Sequence, residues 1–203
     1  MVANQAHLKD SNFKPEPETE YKCIELANIG RDREINGCMV EQGQDLPSRA
    51  RSKVNIGDVV ASSIEGSLES IALITEEYDN ALCSTGFHVI NSDVLNSETL
   101  LVLLKSRVGQ LQLKKGCSGT ILTAINREEF GRIVVPFIKA DKQSELQQKV
   151  TESFNLRKHA KDLLECAKRA VEIAIEQDEQ TAIDWLESVS ETAALHSSFW
   201  LPS

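Results

Sequence analysis

Hydrophobic and polar positions change their rhythm near residue 140. Before it, apolar runs are short and separated by polar turns. "YKCIELANI" and "GCMV" read as strands joined by the turn "GRDREING", and "SIALITEE" and "FHVINS" as two more on either side of "YDNALCSTG". In "VNIGDVVASSI" a Gly-Asp turn feeds a buried strand, and "EQGQDLPSRARSK" reads as a long polar loop. Leucines at helical spacing in "SETLLVLLKSRVGQLQL" predict a helix over about 98–111, with Ser97 as its N-cap. A short turn or helix near Arg127–Phe130 and a strand "RIVVPFI" follow. Residues 1–20, with Pro15 and Pro17 among charged neighbours, predict a flexible N-terminal extension. Short strands with interspersed helix define an α+β body over 21–140.

Beyond Asp141 the period becomes helical. Leu156, Ala160, Leu163, Ala167, Ala170 and Ala174 are spaced alternately four and three apart, a heptad seam, and Leu164, Val171 and Ile175 widen it. Neither Gly nor Pro interrupts residues 141–201. The pattern predicts one helix over about 141–177 and a second over about 180–195. The first would be about 55 Å long at 1.5 Å per residue, so part of it is expected to project. Alanines on the seam admit a close partner helix, so residues 141–203 read as a dimerising and spacing segment.

Composition narrows the class. A chain of 203 residues with 41% hydrophobic content can bury a real core. No apolar run reaches the roughly 18–20 residues that span a bilayer, and the N-terminus has no apolar signal segment. Five scattered cysteines without a C-x-x-C pair suggest reduced thiols, and hence a cytoplasmic protein without disulfide framework or zinc site. The net charge of −9 conceals two acid-free basic runs. One, from Leu46 to Gly57, holds Arg49, Arg51 and Lys53; the other, from Thr99 to Arg127, holds Lys105, Arg107, Lys114, Lys115 and Arg127. Residues 172–191 instead carry seven acids and no base.

Catalytic signatures are missing: the sequence has no G-x-S-x-G, H-E-x-x-H, Walker loop or G-x-G-x-x-G. Its four histidines are isolated, and His88 reads as a hydrogen-bonded core residue. Asp58, a lone acid after Gly57, is read as turn chemistry. A non-enzymatic chain with no cofactor is expected.

The order of "VNIGDVVASSI", "ALCSTGFHVI", a leucine-rich helix and "GCSGTILTAINREEFGRIVVPFIKADKQSELQQKV" resembles the target recognition domain of type I restriction–modification specificity subunits. The matching positions are Gly57 and Asp58; Ser84, Gly86 and Phe87; Gly119 and Thr120; Phe130, Ile133, Val135 and Pro136; and Gln143, over about residues 22–175. The resemblance implies a DNA-reading domain followed by a long coiled-coil-type helix that sets the distance to a second half-site. It implies double-stranded DNA and a DNA methyltransferase subunit as partners, with a restriction subunit as a further candidate, and places S-adenosylmethionine on the methyltransferase. Family members usually carry two such domains and two such helices in one chain; this sequence holds one of each, which makes a homodimer the expected assembly. The candidate DNA contacts are Arg31, Arg33, Arg49, Arg51, Lys53, Lys105, Lys114, Lys115, Ser118 and Thr120. Two other readings stay open: a structural adaptor that dimerises without DNA, and a metal-dependent nuclease built on Asp58 with Glu65 or Glu69.

Overall fold

The computed structural model describes residues 6–30, 34–119 and 123–197, with side chains through residue 189. The candidate contacts Arg31, Arg33 and Thr120 lie outside the described residues. The chain divides into two compact units, Met1–Gln148 and Lys149–Ser203.

The first unit is built on two four-stranded sheets. β1 (His7–Leu8), β5 (Val59–Ser62), β6 (Ile71–Leu73) and β8 (Phe87–Asn91) form one, ordered β1-β8-β5-β6 and antiparallel throughout. β2 (Glu20–Ile24), β3 (Met39–Gln42), β4 (Ala50–Lys53) and β7 (Leu82–Ser84) form the other, ordered β3-β2-β7-β4. Its central pair, β2 and β7, is parallel. A single buried cluster draws Val60, Ala72, Phe87 and Val89 from the first sheet and Ile24 and Cys83 from the second, with Val54, Ile74 and Tyr78 between. Because side chains alternate along a strand, Val59, Ala61, Ile71 and Ile90 face the other way. That face is where α1 (Ser97–Lys105) lies, burying Leu100, Leu101 and Leu104.

The second sheet's outer face carries Cys23, Ala50 and Leu82 under Phe13, Tyr21 and Leu46. Phe13 belongs to the expected flexible extension, and here the structure differs. Within residues 6–20, β1 pairs with β8 (His7 opposite Asn91), Phe13 N–H donates to Arg51 O, and the Ser52 hydroxyl donates to Ser11 Oγ. Gly43 packs so close to Glu16 that a Cβ there would sit 2.1 Å from its carbonyl oxygen. Lys9 Nζ reaches Asp58 Oδ2 at 2.5 Å and Asn55 Oδ1 at 2.9 Å. Proline and charge in the sequence describe a strap fastened across both sheets, not a frayed end.

The leucine-rich helix is two helices, α1 and α2 (Arg107–Gly116). Ser106 makes the break: its hydroxyl donates to Leu103 O and accepts from Gly109 N–H, which caps α2. A side chain at Gly109 would meet Leu103 O at 2.3 Å, so glycine permits the close turn. The N-cap of α1 is Asn96, one residue before the expected Ser97; Ser97 instead donates to Gly57 O. After α2 come the hairpin β9 (Cys117–Ser118) and β10 (Ala124–Ile125), then α3 (Arg127–Gly131).

The segment read as the strand "RIVVPFI" is not in a sheet. Ile133 and Val135 are buried and Val134 exposed, as in a strand, but its ladder partner is one amide side chain. Gln112 accepts from Val134 N–H at 2.8 Å and donates to Val134 O at 3.1 Å. Pro136 has no N–H to extend a ladder.

α4 (Ala140–Glu176) begins in the first unit. Gln143 ties its start to the cap of α1, accepting from Asn96 N–H at 2.8 Å and donating to Val94 O and Ile138 O, while Asn96 Nδ2 donates to Gln143 O. In the second unit α4 runs on, and α5 (Glu179–Ser197) starts behind the cap Asp178, which accepts from Thr181 N–H at 2.9 Å. The residues buried here, Ala170, Ile173 and Ala182, straddle the turn at 177–178. Leu156, Ala160, Leu163 and Ala167 of the seam are exposed, Leu156 by 63% and Leu163 by 56%. Ala174 is half-buried and Ala170 buried.

Candidate nucleic-acid interface

The second basic run is laid out by α1, α2 and the β9–β10 hairpin. Lys114 and Lys115 occupy the last turn of α2, where cations complement the helix C-terminus. Both are exposed, and neither has an ion-pair partner among the described residues. Ser118 follows in β9, exposed opposite Ala124, and Gly119 at φ 133° opens the glycine loop. The hairpin stands on a firm base. A Cβ on Gly116 would strike Ile125 Cδ1 at 2.5 Å, so α2 ends hard against β10. His88 Nε2 is 2.9 Å from Ile125 O, and its ring lies 4.5 Å from that of Phe130. His88 is half-buried, and burial holds its imidazole below the ordinary value; the hydrogen bond read from the sequence is present, at the edge of the core.

Lys105, Arg107 and Lys114 line one cleft of about 970 Å³. Its opposite wall is the turn 65–70, carrying Glu65 and Glu69; Ile29 and Gly30 also line it. Two hydrogen bonds hold the walls: Lys105 Nζ to Glu69 O, and Gln110 Nε2 to Leu68 O. Arg107 is exposed with no ion-pair partner among the described residues. The sequence offers Glu65 and Glu69 only as candidate metal ligands and Gln110 not at all; only folding brings them opposite the basic run.

The first basic run is placed differently. Arg51 and Lys53 sit on β4, the sheet edge that Ser11 and Phe13 cover, with Arg49 just before it, and none lines the cleft. Arg49 makes a forked contact with Glu25, Nη2 to Oε2 at 2.9 Å. Arg51 Nε donates to Ser48 O, and Lys53 Nζ lies 5.6 Å from the Phe13 ring centroid. Each is held by a neighbour in its own chain.

Asp58 takes no part in the cleft. Its carboxylate, 4% exposed, accepts from Lys9, from Asn55 N–H and from Asn91 Nδ2. Glu65 and Glu69 are on the cleft wall without it, and among the described residues no three His, Cys, Asp or Glu side chains group as a metal site.

The fold is similar to that of solved type I restriction–modification S subunits. A chain from a structure on complex assembly and conformational transition of the type I R-M system superposes with TM-score 0.67 at 24% identity, over 90% of this chain and 47% of that one. The HsdS subunit from Thermoanaerobacter tengcongensis gives 0.65 at 22%, over 86% and 45%. The S subunit of the M. genitalium type I system gives 0.60 at 14%, over 91% and 47%. These likenesses establish the fold, an α+β body of short strands and helices followed by a long helix. The chain spans about half the length of the structures it matches. At the level of sequence, no family model and no curated protein matches it. Among the described residues no helix is long and apolar enough to cross a membrane.

Proposed function

We propose that this chain is a DNA sequence-recognition subunit of a restriction–modification system, without an active site of its own. The observation that carries the reading is the likeness of its fold to solved S subunits over about nine-tenths of the chain. The unpaired cations of α2 beside the glycine loop support it. In this reading the first unit reads one half of a bipartite target and the chain docks a DNA methyltransferase subunit. Lys105, Lys114, Lys115 and Ser118 serve the α2 side of the interface. Arg49, Arg51 and Lys53 serve it elsewhere, by exchanging their present partners for DNA, and Arg31, Arg33 and Thr120 are further candidate contacts.

The experiment is fluorescence anisotropy of the full chain, alone and with its methyltransferase subunit, on labelled duplexes across a salt series. Binding that weakens steeply and linearly in log salt is expected, because released counterions drive phosphate contacts. Salt-independent binding, or none in either form, overturns the reading. A chain that dimerises yet binds no duplex would be a structural adaptor.

Assembly belongs to the same proposal. The exposed stripe of Leu156, Leu163, Leu164 and Val171 suits a second copy running antiparallel, so the two reading domains would be related by a twofold axis. Leu163→Glu should convert a dimer to a monomer in light scattering. A monomeric parent protein at micromolar concentration removes the dimer.

A further inference from the structure

The cleft between α2 and the turn 65–70 has walls of opposite sign. Lys105, Arg107 and Lys114 stand on one side, Glu65 and Glu69 on the other. Opposite charges facing across a cleft ordinarily close into ion pairs. Here Arg107, Lys114, Glu65 and Glu69 have no ion-pair partner among the described residues, and Lys105 reaches the Glu69 backbone carbonyl. The bond from Gln110 to Leu68 O helps to set the spacing of the walls. The cleft is therefore held open, with donors and acceptors both unspent.

A ligand for such a cleft must itself be two-faced. A bare phosphate satisfies the cationic wall and is repelled by the carboxylates. A strand of duplex DNA satisfies both: its sugar–phosphate ridge is convex and anionic, and the adjoining groove edge offers exocyclic amino donors. A carboxylate accepts from the amino group of cytosine, and finds no donor on the major-groove edge of guanine or thymine.

We propose that this cleft seats one DNA strand in a fixed orientation, with Arg107 and Lys114 on phosphates and Glu65 and Glu69 as sensors of an exocyclic amino group, that of cytosine foremost. The inference rests on the DNA-recognition reading above and adds the residues that discriminate. The two walls do separable work. The cationic wall sets affinity for every sequence; the acidic wall subtracts from general affinity and returns it only where an amino group stands opposite.

The test selects bound duplexes from a randomised library with the full chain and its methyltransferase subunit, for the parent protein, E65Q/E69Q and R107Q/K114Q. An amide both donates and accepts, so E65Q/E69Q should flatten the preference at one base position by about tenfold or more and raise affinity for non-selected duplexes. R107Q/K114Q should keep the preference and lower the slope of log affinity against log salt by about 2. Identical base preferences in the parent and E65Q/E69Q would overturn the sensor role. A parent protein that selects no sequence would sink the recognition reading itself, and this inference with it. If R107Q/K114Q binds DNA as the parent does but loses the methyltransferase subunit, the cleft seats a protein and the proposal fails. Circular dichroism of each variant, expected to match the parent, confirms that it is folded.

Discussion

The two basic runs look alike as sequence and differ as structure. Between Leu46 and Gly57, and between Thr99 and Arg127, cations occur without a single acid. At β4 and the residue before it each cation is engaged by its own chain: Arg49 by Glu25, Arg51 by Ser48 O, Lys53 by the Phe13 ring. On α2, Arg107, Lys114 and Lys115 have no ion-pair partner among the described residues. Local absence of acids says nothing about acids brought in by folding. Glu25 lies on a different strand's end and still reaches Arg49. A cation's availability to a polyanion is thus a property of the fold, and charge density along the chain is only its precondition.

Lys9 marks the far end of this scale. Lys9→Ala leaves the Asp58 carboxylate buried without its cation and should destabilise the protein by about 3–5 kcal/mol in urea unfolding. A loss below about 1 kcal/mol would mean that the strap is not fastened there. Lys114→Ala with Lys115→Ala should do the reverse, changing stability by less than about 0.5 kcal/mol while reducing the salt slope of duplex binding by about 2. The loss should be alike for all sequences, since phosphates carry no base identity. An unchanged slope would take the end of α2 out of the interface. Glu25→Gln sharpens the contrast from the other side. It releases Arg49 and should strengthen duplex binding roughly two- to fivefold, the scale of a surface ion pair. Weaker or unchanged binding would show that Arg49 serves only its own chain.

The smallest effect expected is a pH dependence at the base of the hairpin. Burial lowers the His88 pKa in the folded state, so the unfolded chain takes up the proton first as pH falls. Stability from this residue is then intact above the ordinary imidazole value, about 6.5, and is lost progressively below it. His88→Gln should show a shallower decline in unfolding midpoint between about pH 7 and 5.5. Equal declines would assign the effect to other groups.

Much of the fold was legible, and what was not has specific causes. Strands β2, β3, β5, β6 and β8 follow from short apolar runs bounded by polar turns, and helices α4 and α5 from helical periodicity. β4 escaped because its buried positions are Ala50 and Ser52, too small to register as hydrophobic between Arg and Lys. The break at Ser106 escaped because the leucine spacing runs through it, and only the approach of Gly109 to Leu103 O reveals the turn. The strap is not legible as fastened because proline and charge signal exposure, and its fastenings are single contacts at long sequence separation. For the site, one side of the cleft was written as a basic run. The other came from a turn whose glutamates had suggested metal chemistry.

That strap also constrains how the chain is made. β1 must wait for Asn91 to pair, and the Arg127 guanidinium that donates to Lys9 O lies 118 residues downstream. At a synthesis rate of about 5–20 residues per second, this separation corresponds to roughly 6–24 s during which the N-terminal strand has been made and its clamp has not. Until then the first sheet carries the open edge of β8, a template for unwanted pairing on a crowded polysome. β1, made before the strands and helix that hold it, is thus among the last elements of this unit to be fixed.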